Sequence, residues 1–587
     1  MSRLSTDDAK VLLHRLDESL NAQQTSLEEI SSVIKQLRNQ LEATARSETI
    51  FDDPFPLLKV LSPSFASPSI RNESHSIVEQ VCEVSSPKEI IVGLEELLAE
   101  MKFNEEETDD KNSESVSGER DLETALYSLS VYVRAYQKCL KRLKTAKPDK
   151  FYATAFDTIS SVVTYLVVEG SFPMHDVSSE YLLDLEVVEA IFNLASQVGE
   201  TQGEQPRLTA QESARSFIET VVGLLNPLLA CDNANQFFLT LEPRYRPPQT
   251  MQPPPSPREV STKRIWTSLF PTMFRSLDYK LDDLLIACKF SDPLHRTGSF
   301  SLLSHYLSLH SETPLPAFDI DEDTPATPTF LLSATLETIK RSLQPQTAYK
   351  IAEGDILFFL WWCIDQQAKS ESQGAGFEEN LLYSLVEVLS SLSALSPNPQ
   401  TRFLAFRLLS RVILDLEQTG TPAQAEATQL ALLKELLTDE NATPSFKTAC
   451  IEIVKELIDS KLSQGPTRTP ILGTPRFLEE FESILFRFSP PDLLDTPISP
   501  QDFVEQHQRD VAQKLNFYYF LLTRDQENRT GIRSPLRINT TQNDFLDPLR
   551  RQLTTWLRTK LDPSVSLEFE LLGISLSRVD EVLKALS

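Results

Sequence analysis

The chain has 587 residues, roughly four times the usual domain size, which argues against one compact domain. Apolar residues at 41% and charged residues at 24% are ordinary for a globular protein, while 37 prolines against 15 glycines leave few places for phosphate loops or tight hairpins. With 56 basic and 84 acidic residues the net charge is −28, which argues against a general binder of nucleic acid or anionic membrane.

Residues 6–43 place Val11, Leu12, Leu16 and Leu20, then Leu27, Ile30, Ile34, Leu37 and Leu41, at three- and four-residue steps. That spacing predicts an amphipathic helix pair split near residues 23–26. A break at residues 52–56 precedes Ser86-Pro87-Lys88-Glu89, which carries a helix-start signature: serine as N-cap, proline first in the helix, glutamate three residues after the cap. Residues 104–121, with Glu105-Glu106-Glu107 and Asp109-Asp110, read as an acidic solvated loop. Helical periodicity resumes at Leu122 and runs, with breaks at Pro148 and Pro173, to about residue 198. A polar gap at 199–211 then precedes a helix over 212–229.

Residues 243–257 hold seven prolines and read as a linker or insertion. This divides the chain into a helical-repeat region over 1–240, a proline-rich segment over 241–264 and a second helical-repeat region over 265–587. A further break at 313–329 is acidic and carries Pro314, Pro316, Pro325 and Pro328. Helices are predicted over 356–369 and 380–395, and then a diagnostic block over 397–413. There Pro397 and Pro399 precede Phe403, Leu404, Phe406, Leu408, Leu409, Val412 and Ile413, with Arg402, Arg407 and Arg411 between. A proline turn followed by a helix apolar on most of its circumference marks a helix sandwiched in a stacked array. Residues 424–437 and 445–457 repeat the idea without a strict period. The fold expected is an all-α, HEAT/armadillo-like helical-repeat solenoid with disordered proline-rich and acidic insertions.

Chemistry is sparse in the pattern. The six cysteines Cys82, Cys139, Cys231, Cys288, Cys363 and Cys450 form no close pair in sequence, so a zinc site lacks support and a reducing compartment is expected. No secretory leader is expected, and no uncharged apolar run reaches the ~18 residues of a membrane span. A cytoplasmic protein with nuclear access follows as the expectation. His295, His305 and His310 lack ligand spacing and read as exposed or loop histidines, while Trp361-Trp362 reads as buried core. No nucleotide-binding, zinc-protease or serine-hydrolase motif is present, so neither catalytic residues nor a cofactor or metal are assigned, and no enzyme is expected. Ser256-Pro257, Thr324-Pro325, Thr327-Pro328, Thr474-Pro475, Thr496-Pro497 and Ser499-Pro500 suit proline-directed phosphorylation, or are turn formers.

Residues 514–560 differ from the rest. Nine basic residues against four acidic ones (9 − 4 = +5) make a basic, aromatic-bearing end on an acidic chain, either a docking surface or a terminal cap. Residues 516–532 (NFYYFLLTRDQENRTGI) and 543–549 (NDFLDPL) resemble the carboxyl-terminal region of the YAP-binding/Alf/glomulin family. The Ser86-Pro87-Lys88-Glu89 helix is similar to that family's amino-terminal helix, and the 397–413 block to its helical-repeat middle. The serine- and proline-rich loops resemble those of a fungal member.

The resemblance implies a HEAT-like all-α protein that acts by binding; a monomer is expected, and the acidic charge leads to no nucleic-acid or membrane partner being expected. Glomulin-like members cover the RING subunit of cullin–RING (SCF) ubiquitin ligases and mask the docking site of the ubiquitin-conjugating enzyme. Yeast-type members bind an AP-1-like stress transcription factor and assist its oxidation in the oxidative-stress response; a related branch is linked to kinetochores. The carboxyl-terminal similarity favours the ligase inhibitor, and the fungal style favours the stress scaffold. For the ligase reading the partner surface centres on Arg524, Asp525, Asn528, Arg529, Asn543 and Asp544, with Phe545 and Leu549 anchoring the helix beneath.

Overall fold

In a computed structural model the structure describes residues 11, 14–15, 27–44, 55–67, 69–101, 116–169, 183–248, 254–311, 327–347, 349–369, 378–418, 422–463, 471–488, 493–494, 498–559 and 562–586. They form helices and turns with no strand among them, the all-α class expected from the sequence. The chain divides into two compact units, Met1–Cys363 and Ile364–Ser587.

The first unit contains α1 (Leu27–Thr44), α2 (Phe55–Leu61), α3 (Arg71–Val84), α4 (Pro87–Glu100), α5 (Val116–Arg142), α6 (Pro148–Thr164), α7 (Leu183–Ser196) and α8 (Glu204–Leu225). It continues through α9 (Asn233–Leu241), α10 (Pro257–Arg264), α11 (Phe270–Ser276), α12 (Leu281–Phe290), α13 (Pro293–Leu309) and α14 (Pro328–Ser342), and ends inside α15 (Glu353–Lys369). Packing follows an alternate-helix rule. Helices α1, α3, α5, α7 and α11 stack in one layer, and α2, α4, α6, α8 and α13 in the other. Each helix therefore meets neighbours on two sides, which is the packing of stacked helical hairpins.

The second unit contains α16 (Glu379–Leu395), α17 (Pro399–Leu414), α18 (Pro422–Thr438), α19 (Pro444–Ser463), α20 (Pro475–Leu485), α21 (Pro500–Gln506), α22 (Gln508–Arg524), α23 (Pro535–Thr541), α24 (Asp547–Trp556) and α25 (Pro563–Leu586). Here α17, α19, α22 and α25 stack successively. The diagnostic block is α17: it buries Thr401, Leu404, Ala405, Leu408, Leu409, Val412 and Ile413, while Phe403 stays exposed.

Proline is the punctuation of this array. Roughly half of the described helices begin on one, among them Pro87, Pro257, Pro328, Pro399, Pro475 and Pro500. Its fixed φ suits the first helical position, where no donor is needed. The proline-rich segment 241–264, expected as a linker or insertion, contains the helix α10 over Pro257–Arg264. Helix α10 starts inside it at a capping box, with Ser256 Oγ accepting from Glu259 N at 3.2 Å and Glu259 Oε2 accepting from Ser256 N at 2.7 Å. At Ser86, by contrast, the N-cap position is as expected but the side chain makes no capping bond.

Other boundaries shift as well. Helix α5 begins at Val116 rather than Leu122, and 104–115 lie outside the described residues. The polar gap after residue 199 is short because Glu204 already opens α8, preceded by Gly203 at φ +89°. The break at 313–329 falls on undescribed residues up to 326 and ends where α14 starts at Pro328. Most of the first helix of the predicted amino-terminal pair lies outside the described residues. The helical span Pro148–Val168 is long and apolar enough to cross a membrane by length and composition, but its Tyr152, Phe156, Ile159 and Val163 are buried, and Phe156 stacks on Phe217 of α8 at 4.7 Å.

Helices α8 and α13 cross where their backbones touch. A Cβ on Gly298 would lie 1.8 Å from Glu219 O, and one on Gly223 2.5 Å from Leu294 O, so both positions require glycine. Beside the crossing, burial pushes the Glu219 carboxyl up to about 7, against the counter-pull of His295, Ser299, Tyr279 and Arg215. A carboxyl raised in the folded state binds its proton more tightly there than in the unfolded chain. Stability is therefore lost as pH rises from the ordinary carboxylate range through 7. Glu219→Gln is expected to be near neutral at about pH 4 and to stabilise by about 2 kcal/mol at about pH 8, allowing for partial exposure. Urea unfolding at the two pH values measures this; a difference that does not change with pH contradicts it.

Candidate partner-binding surface

The carboxyl-terminal residues picked out by sequence surround one loop. Helix α22 buries Val511, Lys514, Leu515, Phe517, Tyr518, Leu521 and Leu522 and ends at Arg524. Asp525 follows, 2% exposed, and its carboxylate accepts from Arg529 N at 2.8 Å, Thr530 N at 2.7 Å and Thr530 Oγ1 at 2.6 Å. Asn528 and Gly531 take φ of +54° and +77°, conformations that asparagine and glycine tolerate best. Asn528 Oδ1 also accepts from Arg533 N at 2.8 Å. The Arg533 guanidinium then donates to the carbonyls of Leu522 and Gln526, satisfying the end of α22. Asp525 and Asn528 thus build the loop.

Beyond α23 the chain makes a π turn, Gln542–Leu546, before α24. An extra residue in a helical turn re-aims its side chains. Asn543 and Asp544 are exposed on it, Asp544 pairing with Arg487 at 3.0 Å, whereas Phe545 is fully buried against Phe488 with ring centroids 5.0 Å apart. Leu549 is equally buried. Both anchor the helix from within the core, so neither presents a side chain to a partner.

The basic excess of residues 514–560 is largely neutralised in the fold. Arg524 binds Asp459 at 2.7 Å and Ser463 Oγ at 2.7 Å; Arg537 binds Glu482 at 2.6 Å; Arg550 binds Asp547 and Asp580. Lys514 is buried on Asp510 at 2.9 Å and donates to Arg487 O. The Arg529 guanidinium donates to Leu462 O at 3.3 Å. Arg551 and Arg558 remain exposed. The second unit also carries, and the sequence reading missed, an exposed apolar row on α25: Leu567, Leu571 and Ile574 are each about half exposed, at the i, i+4, i+7 spacing of one helix face. The signal was present, since α25 also buries Val565, Phe569, Leu572 and Leu576 and is thus apolar on two sides.

Elsewhere the residues weighed for chemistry are structural. Trp361 and Trp362 are buried core, as expected. His305 is not an exposed or loop residue: it is 1% exposed within α13, stacks on Trp266 at 3.5 Å and faces Asp355 at 3.3 Å. Stacking on an aromatic and pairing with a carboxylate let α13 bury it, and periodicity cannot show either. No group of three His, Cys, Asp or Glu among the described residues is placed to hold a metal. Five thiols are buried and Cys231 is half-buried; burial pushes both Cys231 and Cys450 up to about 12. Ser256, Thr327, Thr474 and Ser499 are the N-caps of α10, α14, α20 and α21, so there the Ser/Thr-Pro pairs start helices; Thr324 and Thr496 lie outside the described residues.

The model of an uncharacterised protein family, YAP/Alf4/glomulin, matches residues 3–182 and 277–562. No curated protein matches the chain. Among solved structures, the karyopherin Kap121p bound to the extreme C-terminus of the protein phosphatase Cdc14p is 13% identical with a TM-score of 0.26. That match takes in 100% of this chain, which spans only 52% of the karyopherin. A chain from a structure of the phosphorylation-controlled interaction between cadherin and beta-catenin is 12% identical, with a TM-score of 0.22, covering 97% of this chain and 99% of that one. At these scores neither structure carries an argument about this chain.

Proposed function

We propose that this chain, which belongs to the YAP/Alf4/glomulin family, binds the RING subunit of cullin–RING ubiquitin ligases and blocks ubiquitin transfer by steric exclusion, without catalysis of its own. Family membership makes it a protein-binding adaptor in general; the RING partner is the finer reading. One observation carries it: the second matched stretch, 277–562, runs through the built loop at 525–534 and the π turn that exposes Asn543 and Asp544. A loop held by a buried carboxylate costs little ordering on association, and that favours a rigid recognition surface. The contact then consists of Arg524, Arg529, Asn543 and Asp544 as polar groups, with the α25 row Leu567, Leu571 and Ile574 adding apolar area.

The alternative, an AP-1-like stress factor, stands second. Raised thiols at Cys231 and Cys450 are protonated near neutral pH, so that role would be scaffolding rather than thiol exchange. A cytoplasmic location with nuclear access serves either partner. Titration calorimetry of the full chain with an isolated RING subunit tests the first reading. Binding weakened about tenfold or more by Asn543→Ala with Leu571→Asp supports it; absence of binding overturns it.

A further inference from the structure

A second polar site lies in the first unit, far in sequence from the surface described above. A cleft of about 570 Å³ is lined by Gln137 and Lys141 at the end of α5, Asn193 at the end of α7, Gln197 in the 3-10 turn that follows it, Arg207 in the first turns of α8, and Arg275 at the end of α11. Three cations face one carboxylate, Glu200, which pairs with Lys141 at 3.4 Å. The cleft therefore keeps two positive charges in a chain of −28.

Helix electrostatics separates these cations. Lys141 and Arg275 stand in last turns, where a cation complements the helix dipole and needs no further reason. Arg207 is near the amino-terminal end of α8, where a cation opposes the dipole. It has no ion pair or side-chain hydrogen bond among the described residues, and it is exposed. A guanidinium held at a local electrostatic cost with its donors unused suits an incoming anion, and its planar fork matches a phosphate.

The amides add a second requirement. Gln137 of α5, Asn193 of α7 and Gln197 of the turn after it line the cleft, and Gln197 Oε1 is buried with no hydrogen-bond partner among the described residues. A side-chain amide presents both donor and acceptor, the complement of a peptide group. The geometry is fixed by close approach: a Cβ on Gly199 would lie 3.3 Å from Ser276 O, and Gln211 Nε2 donates to Ser276 O at 2.9 Å, tying the start of α8 to the end of α11.

We propose that this cleft binds an extended segment of a partner protein bearing a phosphorylated serine or threonine, with Arg207 and Arg275 on the phosphate and the amides on the peptide backbone. This site is independent of the ligase reading. The test uses the full chain with a degenerate library of short peptides fixed at phosphoserine, a matched serine library, and inorganic phosphate as competitor. Retention of the phosphorylated library about tenfold above the serine library is expected, as is its loss in the Arg207→Glu, Arg275→Glu double variant. Arg207→Ala alone is expected to weaken retention without lowering Tm, which keeps the test valid if the double variant fails to fold. Equal retention of both libraries, retention unchanged by Arg207→Ala, or binding of inorganic phosphate without peptide selection overturns the proposal.

Discussion

Gly298→Ala is expected to destabilise the first unit by more than about 4 kcal/mol, enough to remove soluble folded protein. The added Cβ would sit 1.8 Å from the carbonyl oxygen of Glu219, and the obstacle is backbone of a neighbouring helix, not a side chain that can rotate away. Helices α8 and α13 would have to separate, and α8 also packs on α6, so the disturbance spreads through one layer. Gly573 provides the internal control. It too is helical, in α25, but nothing lies within 4 Å of a Cβ placed there. Gly573→Ala should therefore be neutral or stabilise by up to about 1 kcal/mol through helix propensity. Denaturant unfolding of the two variants decides the matter: equal tolerance at both sites would refute the close crossing.

A comparable loss is expected in the second unit from Lys461→Met. Lys461 Nζ lies 2.8 Å from Glu426 Oε1, both side chains being about 4% exposed, and Glu426 Oε2 accepts from Ile471 N at 2.5 Å. Removing the cation leaves a buried carboxylate without its counter-charge, which costs about 3–5 kcal/mol. Replacing both residues, Lys461→Met with Glu426→Gln, removes the stranded charge and keeps an acceptor for Ile471, so most of the loss should return. A double variant no more stable than the single one would show that the pair acts through packing alone.

These two sites show where sequence stops. The hydrophobic phase of α17 and the proline-led helix starts were legible because both are local: a period of three to four residues and a φ fixed by one ring. At 241–264 proline density reads as a linker or insertion, and only the capping pair Ser256 and Glu259, the same signature as at Ser86, marks the helix that starts inside it. Gly298 gave no signal at all, since its partner Glu219 is distant in the chain and the contact is set by a helix crossing. At the candidate surface Asp525 and Asn528 read from the sequence as partner-facing polar residues, whereas the burial of Asp525 and the bonds both residues make within the loop depend on the folded turn. The local charge of +5 proved a poor guide because its neutralising carboxylates, Asp459, Glu482 and Asp580, come from outside the segment.

The most direct test of the central claim is ubiquitin-chain formation by a purified, activated cullin–RING ligase, titrated with this chain. The account predicts dose-dependent inhibition, relieved by charge reversal at Arg524 and Arg529 together with Leu571→Asp in protein whose unfolding midpoint is unchanged. Full chain formation at saturating concentrations, with no binding to the RING subunit, would contradict it.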